Sequence, residues 1–308
     1  MGVGVVRRLL AGLGACAVAG AVVLGAPAIA HAHHPESVPT GAAAAPAPGS
    51  QANAPQTPVP SAAAAAQLAQ TMLAAVEGVS PGSRVGVQVT DMTDGATLVG
   101  LNTDEQFYTA SVVKLLIALD ACNGQGWQPD SVTADQVSQM LSASDDDIAD
   151  ALWDADGGDD IVNRMIALIG LGETQAPADP DQWGETLTTP HDVVTIYRYI
   201  TTVVPQPARG ILLDALGNAG QIAADGTDQY FGIPDALHGD TWAIKQGWMT
   251  LDTSTTLDTT GLVGTDPAHP LRYAVVVMTS QPADVAWSTG GAALTAALTP
   301  LQSVLITA

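Results

Sequence analysis

Lysine is almost absent from this 308-residue chain: Lys114 and Lys245 are its only two, and every other basic residue is arginine. Basic residues number nine against 31 acidic ones, a formal charge of −22. A surface of that sign repels nucleic-acid phosphates and anionic lipid headgroups, so neither is expected as a partner. Cysteine is equally scarce. Cys16 lies in the N-terminal segment, and Cys122 is otherwise alone, which leaves the mature chain without an internal disulfide. Cys122 reads as a small buried hydrophobe. His191, His238 and His269 stand apart from one another, without the clustering of His and Cys that a metal centre requires. His31, His33 and His34 form only a short tract. We expect no metal and no cofactor.

The chain begins with Arg7 and Arg8, followed by a small, apolar run from Leu9 to Ala30. Residues 1–32 read as a secretory signal with cleavage after Ala30 or Ala32. Two alternatives remain open. Leu13-Gly-Ala-Cys16 resembles a lipobox, which would make Cys16 a lipidated terminus, and the apolar run is just long enough to stay as an uncleaved anchor. The expected location is therefore secreted or attached to the cell envelope. Residues 33–61, rich in Ala and Pro, read as an extended linker, and residues 62–308 as one folded domain, expected to be a monomer.

Within that domain, Ala62 to Glu77 has helical composition, while Arg84–Thr90 and Ala96–Leu101 form a hairpin pattern around the turn Asp91–Gly95. Helical segments follow near Thr133–Ser142, Ile148–Trp153, Ile161–Leu171, Val193–Val203 and Pro207–Leu216. Thr189-Pro190 marks the start of one of them. Glu173–Thr188 is polar and interrupted by proline, an ordered loop of a length that is usually functional. Strands then return at Thr241–Gly247, Thr253–Val263 and Leu271–Met278, and Asp284–Ile306 closes the chain as a helix. Two strands, a block of helices, three strands and a last helix imply an antiparallel sheet assembled from both chain ends, with the helices inserted as a second lobe.

The most informative stretch is Phe107–Leu119. An extended run leads to Ser111, after which the segment is almost wholly apolar apart from Lys114. Apolar residues on every side predict a helix buried all round, and a lysine there needs a partner. Three residues apart on a helix, Lys114 reaches the Ser111 hydroxyl. A desolvated amine loses basicity until it can serve as a proton acceptor. Near a helix N-terminus, free N–H groups also favour developing negative charge. A chain that otherwise avoids lysine has kept two for what an ammonium does and a guanidinium cannot.

Three motifs stand in order: Ser111-Val-Val-Lys114, Ser144-Asp145-Asp146 and Lys245-Gln246-Gly247. The set resembles the serine β-lactamase and penicillin-binding protein superfamily, and most closely its class A branch. The resemblance covers roughly Ala62–Ala308. It implies an α/β fold of the α+β type: a five-stranded antiparallel sheet flanked by helices, plus an all-helical lobe. It also implies roles. Ser111 would be the acylated nucleophile, Lys114 its activating amine, and Ser144 the hydroxyl that passes a proton to the leaving nitrogen. Lys245 would bind a substrate carboxylate, and the N–H groups of Ser111 and Trp248 would form the oxyanion hole. Gly247 would let substrate approach the strand edge.

Three departures accompany the match. Asp146 stands where the family has asparagine, so the amide donor to substrate is lost and the carboxylate can pair with Lys114 instead. Gln246 replaces a hydroxyl residue. No Glu-x-x-Leu-Asn occurs in the loop. Glu185 is its nearest carboxylate to the following helix, and both it and Glu173 match the family position poorly; Glu185 reads as a solvated or capping residue. The expectation is an exported serine hydrolase that acylates Ser111 with a β-lactam or a cell-wall peptide amide and deacylates slowly. Its substrate would be a small molecule or a peptidoglycan fragment, with antibiotic resistance the consequence if it is a β-lactam. The alternative is a weak or inactive relative that binds an envelope component.

Overall fold

Ser61 accepts a hydrogen bond from the Ala64 amide, the cap that starts α1 (Ala62–Val79). The computed structural model describes residues 60–307. The expected signal segment 1–32, with Cys16, and residues 33–59 of the expected linker lie outside them. Strands β1 (Arg84–Asp91) and β2 (Thr97–Leu101) form the hairpin, followed by the short β3 (Phe107–Tyr108). Next come α2 (Lys114–Gly124), α3 (Ser131–Ser142), α4 (Asp146–Ala155) and α5 (Asp160–Ile169), then the two-residue β4 (Leu187–Thr188). Helices α6 (Pro190–Thr202), α7 (Gln206–Gly217) and α8 (Ile233–Ala236) lead into β5 (Thr241–Thr250), β6 (Thr255–Gly264) and β7 (Tyr273–Gln281). The chain closes with α9 (Trp287–Leu298) and α10 (Leu301–Thr307).

The five longer strands form one antiparallel sheet in the order β2-β1-β7-β6-β5, so the β1–β7 ladder ties the two chain ends together. This is the expected mixed α/β architecture. The sequence of β1 alternates like a half-buried strand, yet every residue after Arg84 is buried. The reason is that both faces of the sheet are covered. Val85, Val87 and Val89 pack with Val275 and Val277 into the core shared with α1 and α9. On the other face, Ala274, Val276 and Met278 meet the core of the helical side, which includes α2.

Helix α2 runs through the middle of that second core. Leu115 to Leu119 are each at most 2% exposed. Burial contributes about 1.5–3 kcal/mol for each large apolar side chain, enough to hold the start of α2 rigidly in place. Cys122 is buried on the same helix, and burial pushes its thiol up to about 11, so it is inert.

Three boundaries differ from expectation. Helix α5 stops at Ile169 because Gly170 takes a left-handed conformation, φ 82°. The closing helix is two helices, since Pro300 cannot donate the bond that would continue α9. The short α8, in the segment before β5, has no periodic signal of its own. Among the described residues, no helix is long and apolar enough to cross a membrane.

Candidate active site

Both lysines lie inside the domain: Lys114 is 0% exposed and Lys245 1%. Lys114 is the first residue of α2, preceded by a 3-10 turn, Ala110–Val113, that carries Ser111. Its Nζ lies 2.9 Å from Ser111 Oγ, 2.8 Å from the Ser144 carbonyl oxygen and 3.3 Å from Ser144 Oγ. Lys245, on β5, places its Nζ 2.9 Å from the same Ser144 Oγ and 3.0 Å from the Gln246 carbonyl oxygen. The Ser144 hydroxyl thus stands between the only two amines of the chain, and Ser111 completes a continuous hydrogen-bonded path.

The backbone holds this arrangement under strain. Ala110 (φ 40°) and Ser144 (φ 52°) both adopt left-handed conformations, which cost about 1–3 kcal/mol each when the residue is not glycine. Ala110 aims Ser111 into the cleft, and Ser144 turns between α3 and α4. Asp145 then caps α4 by accepting from the Ile148 amide at 3.1 Å. Asp146, one residue on, forms an ion pair with Lys114, its own side chain 57% exposed.

Burial lowers the pKa of Lys114, with Asp146 opposing that shift; the net position is below the ordinary lysine range. Lys245 is lowered further, by complete burial first and by the charge of Lys114 second. Both amines are therefore nearer to giving up a proton than a surface lysine is.

Ser111 opens onto a cleft of about 420 Å³ lined by Asp146, Asp150, Asp181, Trp183, Asp225 and Trp248, among others. The edge strand β5 forms one wall. Gly247 is needed because the nucleophile turn presses on that strand: a Cβ there would lie 2.7 Å from the Thr109 carbonyl oxygen. A close approach at Gly247 is thus made by the protein's own backbone. Trp248 follows it on the cleft wall, donating from Nε1 to Asp225 Oδ2 at 2.9 Å.

The loop 173–188 contributes Asp181, Gln182, Trp183 and Gly184 to the lining. Asp192 ties down its start, accepting from the Gly172 and Glu173 amides and the Thr174 hydroxyl at 3.1, 2.9 and 2.7 Å. Its far end pairs with the approach to Ser111 through Thr109 N–H to the Thr186 carbonyl oxygen, 2.9 Å. Between these anchors the loop brings an indole to the amine: Lys114 Nζ lies 4.9 Å from the centre of the Trp183 ring, and Trp183 Nε1 donates to Asp150 Oδ1 at 2.7 Å.

Two candidates lie elsewhere. Gln246, expected at the substrate, is fully buried and faces away from the cleft. Its amide nitrogen donates to the Phe231 carbonyl oxygen at 2.6 Å, and its oxygen accepts from the Thr260 amide at 3.3 Å. Glu185 ends a 3-10 turn, Trp183–Glu185, and does not line the cleft. The cleft residues that sequence reasoning passed over include Trp183, Asp150, Asp181 and Asp225. A tryptophan in a polar loop was the one available signal. No group of three or more His, Cys, Asp or Glu among the described residues is placed to hold a metal ion.

Comparison with known proteins bears on the family and the fold. The Beta-lactamase enzyme family profile matches residues 67–125, a span that includes Ser111 and Lys114. "Putative lipoprotein LppW" of Mycobacterium tuberculosis (strain ATCC 25618 / H37Rv) is 30% identical over 215 residues, 68% of this chain and 67% of that protein. The same protein of Mycobacterium bovis matches equally. Among solved structures, a β-lactamase from Chitinophaga pinensis aligns with TM-score 0.60 and 18% identity over 76% of this chain and 99% of its own. The TLA-3 extended-spectrum β-lactamase gives 0.63 and 15% over 79% and 99%, and PBP-A gives 0.59 and 20% over 76% and 95%. At those identities the structures speak for the fold. The fold, the LppW relatives and the profile match together place the chain in the serine β-lactamase and penicillin-binding protein superfamily, to which it belongs.

Proposed function

We propose that the protein is an exported serine hydrolase that forms an acyl-enzyme through Ser111 and releases it slowly. The observation that carries this reading is the 2.9 Å contact between Ser111 Oγ and the buried Lys114 amine. In the reaction, Ser111 Oγ attacks a β-lactam or cell-wall amide carbonyl while its proton passes to Lys114. Ser144, within 3.3 Å of Lys114 and 2.9 Å of Lys245, hands a proton to the departing nitrogen. The N–H groups of Ser111 and Trp248 would receive the developing oxyanion. Location at the envelope, through Cys16 or after export, is supported by the lipoprotein name that the mycobacterial relatives carry.

The test is intact mass after exposure to a fluorescent penicillin and to a simple acyl thioester. A single adduct is expected, mapping to the peptide that contains Ser111. If neither reagent leaves an adduct, the reading as a binding protein replaces this one; the missing loop carboxylate is what favours that alternative.

Asp146 makes a second prediction. Lys114 accepts the Ser111 proton only as a free amine, so acylation rises with pH as that amine deprotonates. Asp146 stabilises the ammonium and works against this. Asp146→Asn is therefore expected to move the rising limb to lower pH and speed acylation at neutral pH about fivefold, equivalent to about 1 kcal/mol for a largely exposed partner. Acylation rates from pH 6 to 9 check it; an unmoved limb would show that Asp146 does not govern Lys114.

A further inference from the structure

A carboxyl group lies under the turn that carries Ser111. Asp258, on β6 and directly across from Gly247 of β5, is fully buried. Its Oδ1 accepts from the Thr279 amide at 3.0 Å, whereas Oδ2 has no donor to accept from. Oδ2 borders the space that a side chain at position 247 would fill. A Cβ there would lie 3.2 Å from Oδ2, 3.2 Å from Val112 Cγ2 and 2.7 Å from the Thr109 carbonyl oxygen. Thr109 and Val112 bracket Ser111, and the Val112 amide donates to the Thr109 carbonyl oxygen at 2.9 Å, closing the turn.

An ionised carboxylate in that position would be desolvated and half unpaired, which is strongly disfavoured. Asp258 joins no ion pair among the described residues. The ionisable groups on the elements around it are engaged elsewhere. Lys245 of β5 holds Ser144 Oγ, Lys114 beyond the turn pairs with Asp146, and Tyr197 of α6 meets Thr260 Oγ1. Tyr273 lies at the far end of β7, across from Val263. Burial pushes the Asp258 carboxyl well above the usual carboxylate range, with the Thr279 amide opposing. Oδ1 is already an acceptor, so the proton resides on Oδ2 and turns an orphaned acceptor into a donor. The Thr109 carbonyl oxygen, which borders the same space, has a second lone pair to receive it.

We infer that Asp258 is a positioning residue of the acyl-transfer site: its Oδ2 hydroxyl donates to the Thr109 carbonyl oxygen and holds the turn that sets Ser111 against Lys114. Its effect on rate rests on the acyl-transfer reading above, whereas its hold on the turn does not. Ionisation would set a negative oxygen against a carbonyl oxygen and push the turn away from β6.

The experiment compares the native protein with Asp258→Asn, which keeps an acceptor and a donor, and with Asp258→Leu, which has neither. Intact mass gives the rate of acylation by a fluorescent penicillin and by a simple acyl thioester. Hydrogen exchange, read by mass spectrometry, follows the peptide that holds residues 110–113. Asp258→Leu is expected to acylate about tenfold more slowly, the effect of one lost hydrogen bond, and that peptide to exchange about tenfold faster. Asp258→Asn should match the native protein in both at neutral pH. Melting temperatures report the proton. An acid whose folded pKa is raised loses stability as pH rises from its unfolded value toward its folded one, and asparagine carries no such loss. The melting temperature of Asp258→Asn should therefore gain on that of the native protein between about pH 5 and about pH 8. A gap that stays level or narrows overturns the inference. So does Asp258→Asn behaving like Asp258→Leu, or an Asp258→Leu turn that exchanges at the native rate. If Asp258→Leu does not fold, exchange and the melting gap of Asp258→Asn decide. Failure of the native protein to take up either reagent removes the acyl-transfer reading instead, and exchange and melting still judge Asp258.

Discussion

Ser111→Ala is expected to abolish covalent labelling, and Lys114→Met to slow it by about 10²–10⁴-fold, the range that a positioned proton acceptor supplies. The second substitution separates chemistry from folding. Lys114 sits wholly inside the core, and replacing a buried ion by an apolar side chain of similar volume is commonly neutral or stabilising. Its partner Asp146 is 57% exposed, so water takes over the role of the lost ammonium and no buried charge is stranded. The melting temperature of Lys114→Met should accordingly equal or exceed that of the native chain while the rate collapses. Thermal melts and timed intact-mass spectra measure the two quantities on the same samples. A Lys114→Met protein that acylates at the native rate would shift the role of proton acceptor to Lys245, which reaches Ser144 rather than Ser111.

What could be read from sequence, and what could not, divides along a physical line. The Ser111–Lys114 contact is local, fixed by helix geometry once α2 is known to be helical, and the apolar run announces that helix. The strand order at the chain's end follows from turn residues and alternation. The cleft's third dimension was hidden. Whether Gln246 faces substrate depends on the segment around Phe231, which has no periodic pattern and whose Phe231 carbonyl oxygen, outside the strand, accepts from the Gln246 amide. The stacking of Trp183 on Lys114 is likewise a contact between distant segments, set by how Asp192 and Thr109 anchor the loop. The pairing of Arg164 with Asp120 across α2 and α5, at 2.9 and 2.6 Å, is of the same kind. Alternation in β1 misled because it reports side-chain polarity, while burial there is decided by helices covering both faces.

The deacylation step carries the other large effect. A carboxylate that activates water is worth about 10²–10⁴-fold, and at the place where the loop meets Lys114 this chain presents an indole instead, 4.9 Å from the amine. Glu185, the nearest glutamate in the loop, is off the cleft. Asp150 does reach the cleft, but one of its oxygens is held by Trp183 Nε1. The expected kinetics are a burst of one acyl group per chain followed by turnover slower than acylation by that same 10²–10⁴ factor, with the adduct visible by mass throughout. Trp183→Glu should shorten the adduct's lifetime tenfold or more, because it sets a carboxylate beside the catalytic amine in the same cleft, while acylation slows, since that carboxylate, like Asp146, stabilises the Lys114 ammonium. Steady turnover from the first seconds, with no accumulated adduct, would mean that another group activates water, and Asp181, the remaining carboxylate on the loop wall, would then be the residue to replace.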